Sequence, residues 1–117
     1  MSYDYMFFRP KSESFKKDDL REDMLLPIGY NQDIRKSLDK MYEIDWYGVG
    51  EHYCWGNWFG KNEGAEFKLY GGEVEVKDFR VSTNINQVLK LAKNLNLWVL
   101  DPQQGLLFRP NGEKVIE

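Results

Sequence analysis

Hydrophobic residues along the chain follow two spacings, alternation with a period of two and recurrence every three or four residues. The aromatic run YDYMFF at residues 3–8, closed by Pro10, predicts a buried N-terminal strand. Residues 11–23 are mostly charged with few apolar anchors, and they predict a short surface helix or an ordered loop that ends at Pro27.

Two segments have the 3.6-residue spacing of an amphipathic helix. The first begins at Asn31, a predicted N-cap. Its apolar stripe consists of Ile34, Leu38, Met41 and Tyr42. The second helix is predicted to be capped by Ser82, Thr83 or Asn84. One face of that helix holds Ile85, Val88, Leu89, Ala92 and Leu95.

Between these helices, period-two alternation predicts three consecutive strands at residues 51–59, 65–70 and 73–81. Glycine-containing turns at residues 60–64 and 71–72 separate them. In the third strand Val74 and Val76 are predicted to face inward. The phase then changes to Phe79 and Val81, which predicts a bulge near residues 77–78.

The C-terminal part adds two more strands. After the second helix, buried strands are predicted at residues 97–100 and 106–108, with a turn at residues 101–105. The predicted order is β-α-α-β-β-β-α-β-β, and the 117 residues fit one domain, residues 1–117. Neighbouring strands joined by short turns indicate an α+β fold, in which an antiparallel sheet carries helices mainly on one face.

Composition narrows the classes of function. The net charge is −3, from 16 Lys and Arg and 19 Asp and Glu residues, so the chain lacks the basic excess that nucleic-acid binding requires. A single cysteine cannot form an internal disulfide, which indicates a reducing compartment. Since no stretch has the pattern of a signal peptide or a membrane span, we predict a soluble cytoplasmic protein without membrane association.

His52 and Cys54, the only residues of their kinds, suggest catalytic chemistry. Two positions apart on a strand, they project to the same face with β-carbons about 6–7 Å apart, farther than a nucleophile and its base should be. Free cysteine is usually a small buried hydrophobe, so packing is the preferred interpretation and a cysteine hydrolase the alternative. One cysteine and one histidine do not make a zinc site, and neither a metal nor a cofactor is predicted.

Residues 42–60, YEIDWYGVGEHYCWGNWFG, contain no Lys or Arg but seven aromatic residues and four glycines. Rigid aromatic anchors beside carboxylates are typical of a surface that binds a basic protein. Base stacking is disfavoured, because the nearby charges are acidic. The predicted partner-binding residues are Glu43, Asp45, Trp46, Tyr47, Glu51 and Trp58.

Alternation along the strand also divides the aromatic residues between its two faces. Trp55 shares one face with Tyr53, Asn57 and Phe59, and Trp58 shares the other with His52, Cys54 and Gly56. The sequence therefore predicts that at least one of Trp55 and Trp58 is exposed.

Both ends of the chain resemble a known class of proteins. The opening Met1-Ser2-Tyr3-Asp4 before an aromatic strand, and the ending in which the helix VLKLAK at residues 88–93 leads to LWVLDPQQG at residues 97–105, resemble small bacterial immunity proteins of interbacterial toxin systems. The resemblance implies a non-enzymatic cytoplasmic inhibitor that binds one cognate toxin, for example a basic nuclease-type domain. A subunit or adaptor that forms homo-oligomers through exposed aromatic residues is a further alternative.

Overall fold

The computed structural model describes residues 4–72 and 74–116, which form ten short strands and two α-helices. In chain order the strands are β1 (Asp4–Pro10), β2 (Leu25–Leu26), β3 (Gly29–Tyr30), β4 (Asp45–Tyr47), β5 (Tyr53–Gly60), β6 (Glu63–Tyr70), β7 (Glu75–Val76), β8 (Asp78–Ser82), β9 (Trp98–Asp101) and β10 (Leu106–Phe108). The helices are α1 (Asn31–Asp39) and α2 (Ile85–Leu95).

Eight strands form one antiparallel sheet in the order β10-β9-β1-β8-β6-β5-β4, with β2 paired to the end of β1. The other two, β3 and β7, pair with each other. The predicted α+β class and the antiparallel sheet are therefore confirmed. The predicted element order is wrong in detail, because β2, β3 and β4 are two or three residues long and leave no periodic signal.

Two segments differ from their predicted form. The segment that begins at residue 11 was predicted as a short helix or an ordered loop and was counted as a helix in the predicted order, but it forms 3₁₀ turns at Lys17–Asp19 and Glu22–Met24. The predicted third strand is divided at Lys77, so that β7 pairs with β3 while β8 joins the main sheet. Val76 is buried as predicted, but Val74 is 62% exposed, so its inward assignment is wrong.

The helix caps show why one cap was predicted correctly and the other was not. Asn84 caps α2 by accepting a hydrogen bond from the Gln87 backbone N–H at 3.0 Å. Asn31 is not the cap of α1, because its buried side chain donates to the Tyr70 carbonyl (2.9 Å) and accepts from Arg35 Nε (2.7 Å). No helix in residues 4–72 or 74–116 is both long and apolar enough to cross a membrane.

Both helices pack on one face of the main sheet, which we call the helix face. Apolar residues of α1 and α2 meet the inward side chains of the central strands there, and Phe7 stacks on Phe79 with ring centroids 5.2 Å apart. The buried residues shared by this core include Tyr5, Phe7, Ile34, Leu38, Phe67, Leu69, Val81, Val88, Leu91, Ala92 and Val99. Most of the apolar surface that stabilises the fold is buried at this face.

The second face of the sheet is covered over only part of its width. A smaller core joins side chains of β1, β9 and β10 to the segment at residues 11–26, which contributes Phe15 and Leu25. Across β8, β6 and β5 the outward side chains are instead mostly polar or aromatic and remain accessible. These outward residues of β8, β6 and β5 form what we call the open face.

Candidate functional site

Cys54 lies on the helix face and is completely buried. Burial is the largest cause that raises the pKa of its thiol, and the opposing effects of Arg35 and Asn31 are smaller. His52 is exposed just before β5, where its ring makes edge contacts with Tyr53 (4.5 Å) and Tyr70 (6.3 Å). A buried thiol with a raised pKa is a poor nucleophile, so this geometry gives the cysteine hydrolase no support.

Four of the six predicted partner-binding residues are exposed at one end of the sheet. Glu43 precedes the edge strand β4, Asp45 and Tyr47 belong to it, and Glu51 lies in the loop before β5. We call this set of four residues the acidic edge. Among the described residues, β4 is paired only with β5, so its outer side has no neighbouring strand.

The two predicted tryptophans, Trp46 and Trp58, lie on the helix face and are half-buried. The Trp46 ring covers Gly56, where an added β-carbon would lie 2.6 Å from the ring. Its Nε1 donates to Asp39 Oδ1 at 2.8 Å. Trp58 packs on Tyr42 with centroids 4.6 Å apart. The structure therefore separates these indoles from the acidic edge.

Burial and the carboxylate of Glu63 raise the pKa of Tyr42 to about 12, and its hydroxyl donates to Gln87 Oε1 at 2.7 Å. Tyr42 is thus part of the core of the helix face, and the half-buried Trp58 packs against that core.

Trp55 lies on the opposite side of β5 from Trp58 and contributes to the open face. Lys68 on β6 lies directly across from Trp55, with its Nζ 5.0 Å from that ring and 4.5 Å from the ring of Tyr53. Tyr53 and Tyr70 are also cross-strand neighbours, with centroids 5.3 Å apart. Three aromatic rings and a lysine are therefore held together by strand register.

A concave volume of about 650 Å³ lies over this cluster. Charged residues from three strands line it: Asp4, Glu66, Lys68, Asp78 and Arg80. Burial raises the pKa of Asp78; Arg80 lowers it by a smaller effect, and Glu22 adds to the increase. Burial also raises the pKa of Tyr70, and Asp78 contributes to that increase.

Alternation predicted that Trp55 and Tyr53 share one face of a strand. The charged residues of the open face were not among the site residues predicted from the sequence. Alternation along β6 puts Glu66, Lys68 and Tyr70 on the side opposite to the buried Phe67 and Leu69. Their meeting with Asp78 and Arg80 depends on the pairing of β6 with β8, which no local pattern specifies.

In the part of the chain that the structure describes, no group of three or more His, Cys, Asp or Glu residues is arranged to hold a metal ion. Comparison with known proteins finds no matching family, no similar curated protein and no similar solved structure. The candidate functional surfaces of the described residues are therefore the acidic edge and the open face.

Proposed function

We propose that the chain is a non-enzymatic binding protein that neutralises a cognate protein toxin by direct contact, as an immunity protein does. The observation that carries this proposal is the acidic edge, where Glu43, Asp45, Tyr47 and Glu51 are all exposed. The segment that contains them, residues 42–60, has no Lys or Arg.

The composition of this edge suits a basic partner. Tyr47 is 48% exposed and offers a rigid ring with few side-chain torsions to order on binding. Carboxylates around such an anchor attract a basic surface during encounter and disfavour an acidic competitor. Nuclease-type toxins need basic clefts to hold phosphate, so they are one class of partner that this edge would fit.

The test first asks whether a toxin-like domain is encoded beside this gene, and then measures the affinity of the two purified proteins by isothermal titration calorimetry. Replacing both Tyr47 and Glu51 with Ala should weaken binding about 100-fold, since two central contacts at an interface together contribute about 2–4 kcal/mol. The matched control replaces Ile85 and Glu13, also one exposed apolar and one exposed acidic residue, and should leave affinity unchanged.

Two results would overturn the proposal. The first is an adjacent gene without a toxin-like product, or a product that this protein does not bind. The second is equal affinity for the edge variant and the control variant. Sedimentation of the free protein over a concentration series addresses the adaptor alternative, which predicts a mass that increases with concentration and decreases in the Tyr47 variant.

A further inference from the structure

The open face continues into a longer groove. A second concave volume of about 550 Å³ adjoins the first, and both are lined by Met6, Tyr70 and Asp78. Its far wall comes from Leu20, Glu22 and neighbouring residues of the segment that covers the other half of the sheet. The joined groove therefore runs from the aromatic cluster to the margin of the smaller core.

The cations and the carboxylates that line this groove differ in whether they contact other groups of the protein. Among the described residues, its carboxylates make no side-chain hydrogen bond and no ion pair: Asp4, Glu22, Glu66, Glu75 and Asp78. Three of the four cations have a contact within the protein: Lys68 lies over two rings, Lys77 donates to the Glu22 carbonyl, and Arg21 pairs with Asp23. Arg80 has no such contact with a described residue. Since rings and carbonyls do not neutralise a cation, the lining has an excess of one negative charge, from five carboxylates against four cations.

Asp78 lies at the junction of the two volumes and is only half-accessible. Burial is the main cause that raises the pKa of Asp78, and the opposing effect of Arg80 is smaller. This direction is expected for a partly buried carboxylate without a close counter-ion. Tyr70 beside it is 42% exposed and offers an aromatic ring to an incoming cation.

We propose that this groove receives a lysine or arginine side chain from a protruding element of the partner protein, with its charge at Asp78 and its aliphatic stem against Tyr70. The shape requires a convex occupant, and the unengaged carboxylates select a cationic one. This inference rests on the proposed function for the existence of a protein partner, and it adds a second contact region with a defined chemistry.

The test uses N-acetyl-L-arginine N-methylamide as the probe, with the citrulline analogue as a neutral control of nearly the same shape. Titration is followed by two-dimensional ¹H–¹⁵N NMR of the full chain. The arginine probe should shift the amides of Tyr70, Val76 and Asp78 in a saturable way, and the citrulline probe should not. Asp78→Asn should weaken arginine binding about ten-fold, as expected for loss of one charge-assisted hydrogen bond.

Glu13→Gln removes an exposed carboxylate outside the groove and should leave the arginine titration unchanged. Equal shifts with citrulline, or an unchanged titration in Asp78→Asn, would overturn the groove assignment. If the protein binds the toxin but the arginine probe shows no specific binding in the groove, this inference alone is overturned. Specific arginine binding without toxin binding overturns the proposed function alone.

Discussion

The two halves of the second sheet face are built on the same sheet but differ in what their side chains meet. On β1, β9 and β10 the outward residues include Met6, Phe8 and Trp98, which are buried under the segment that carries Phe15. On β8, β6 and β5 the same side of the sheet holds charged residues and accessible aromatic rings. Residues 11–26 therefore decide where the sheet is core and where it is surface.

The boundary between these halves falls between two directly paired residues. Met6 on β1 faces Arg80 on β8, one in the smaller core and the other on the open face. An antiparallel sheet commonly has one buried face and one solvated face, but here buried and solvated side chains meet within the same face. A sheet can thus gain stability from one half of a face and leave the side chains of the other half accessible.

The largest expected difference between the halves is in stability. Phe15→Ala removes a buried ring whose centroid lies 5.3 Å from that of Phe8 and 6.1 Å from that of Trp98. We expect the free energy of unfolding to fall by about 3–5 kcal/mol. Trp55→Ala on the open half should cost less than about 1 kcal/mol, since its contacts are solvated. Urea unfolding followed by circular dichroism measures both, and equal losses would show that the open half is a core too.

Thiol labelling compares the two sides of β5 directly. Cys54 is fully buried on the helix face, whereas a cysteine placed at Asn57 would point to the other side. In the Asn57→Cys variant we expect one thiol to react rapidly with an aromatic disulfide reagent at pH 8 and Cys54 to react at least about 100-fold more slowly, because it requires local opening. Rapid labelling of Cys54 in the unmodified protein would contradict its burial and revive the hydrolase alternative.

Sequence patterns predicted the elements that have long periodic signals. Helix α2 with its Asn84 cap, the hairpin of β5 and β6, and the C-terminal strands all follow from local spacing. The missed features depend on distant partners. The Asn31 side chain is turned inward to the Tyr70 carbonyl, and Lys77 separates β7, which pairs with β3, from β8, which pairs with β1 and β6.

The placement of the candidate site residues was predictable to a similar degree. Exposure of Tyr47 and Glu51 agrees with the composition of their segment, whereas Trp46 and Trp58 were assigned to the same surface although they face the helices. The signal that could have corrected this is the alternation of Gly56 and Gly60 with Trp58 along β5. A glycine inside a strand indicates close approach of another group, and here each glycine makes room for an indole.

Gly56→Ala tests that relation on the helix face. The new methyl group would lie 2.6 Å from the Trp46 ring and 2.6 Å from Ile44, so the ring must move away from the strand. We expect a loss of about 1–3 kcal/mol from overpacking and a change in the tryptophan fluorescence. Asn57→Ala, next along the strand on the open side, is the control and should change stability by less than about 0.5 kcal/mol. Similar losses for both would contradict the packing of Trp46 on Gly56.

The smallest expected effect concerns Asp78, at the junction where the covered half meets the open half. Its folded-state pKa is raised from 3.8, so its contribution to stability is fully present below that value and is lost as pH rises through the raised pKa. Asp78→Asn should therefore be as stable as the unmodified protein, or slightly more stable, at pH 7, and relatively less stable at pH 3. The change between these limits should stay below about 1 kcal/mol, because solvent screens a half-accessible group. Urea unfolding at both pH values measures it, with Glu13→Gln as the control for an exposed carboxylate. A difference of the opposite sign would mean that Asp78 is ionised and paired in the free protein. The groove would then have no unpaired carboxylate at Asp78 to receive a cation.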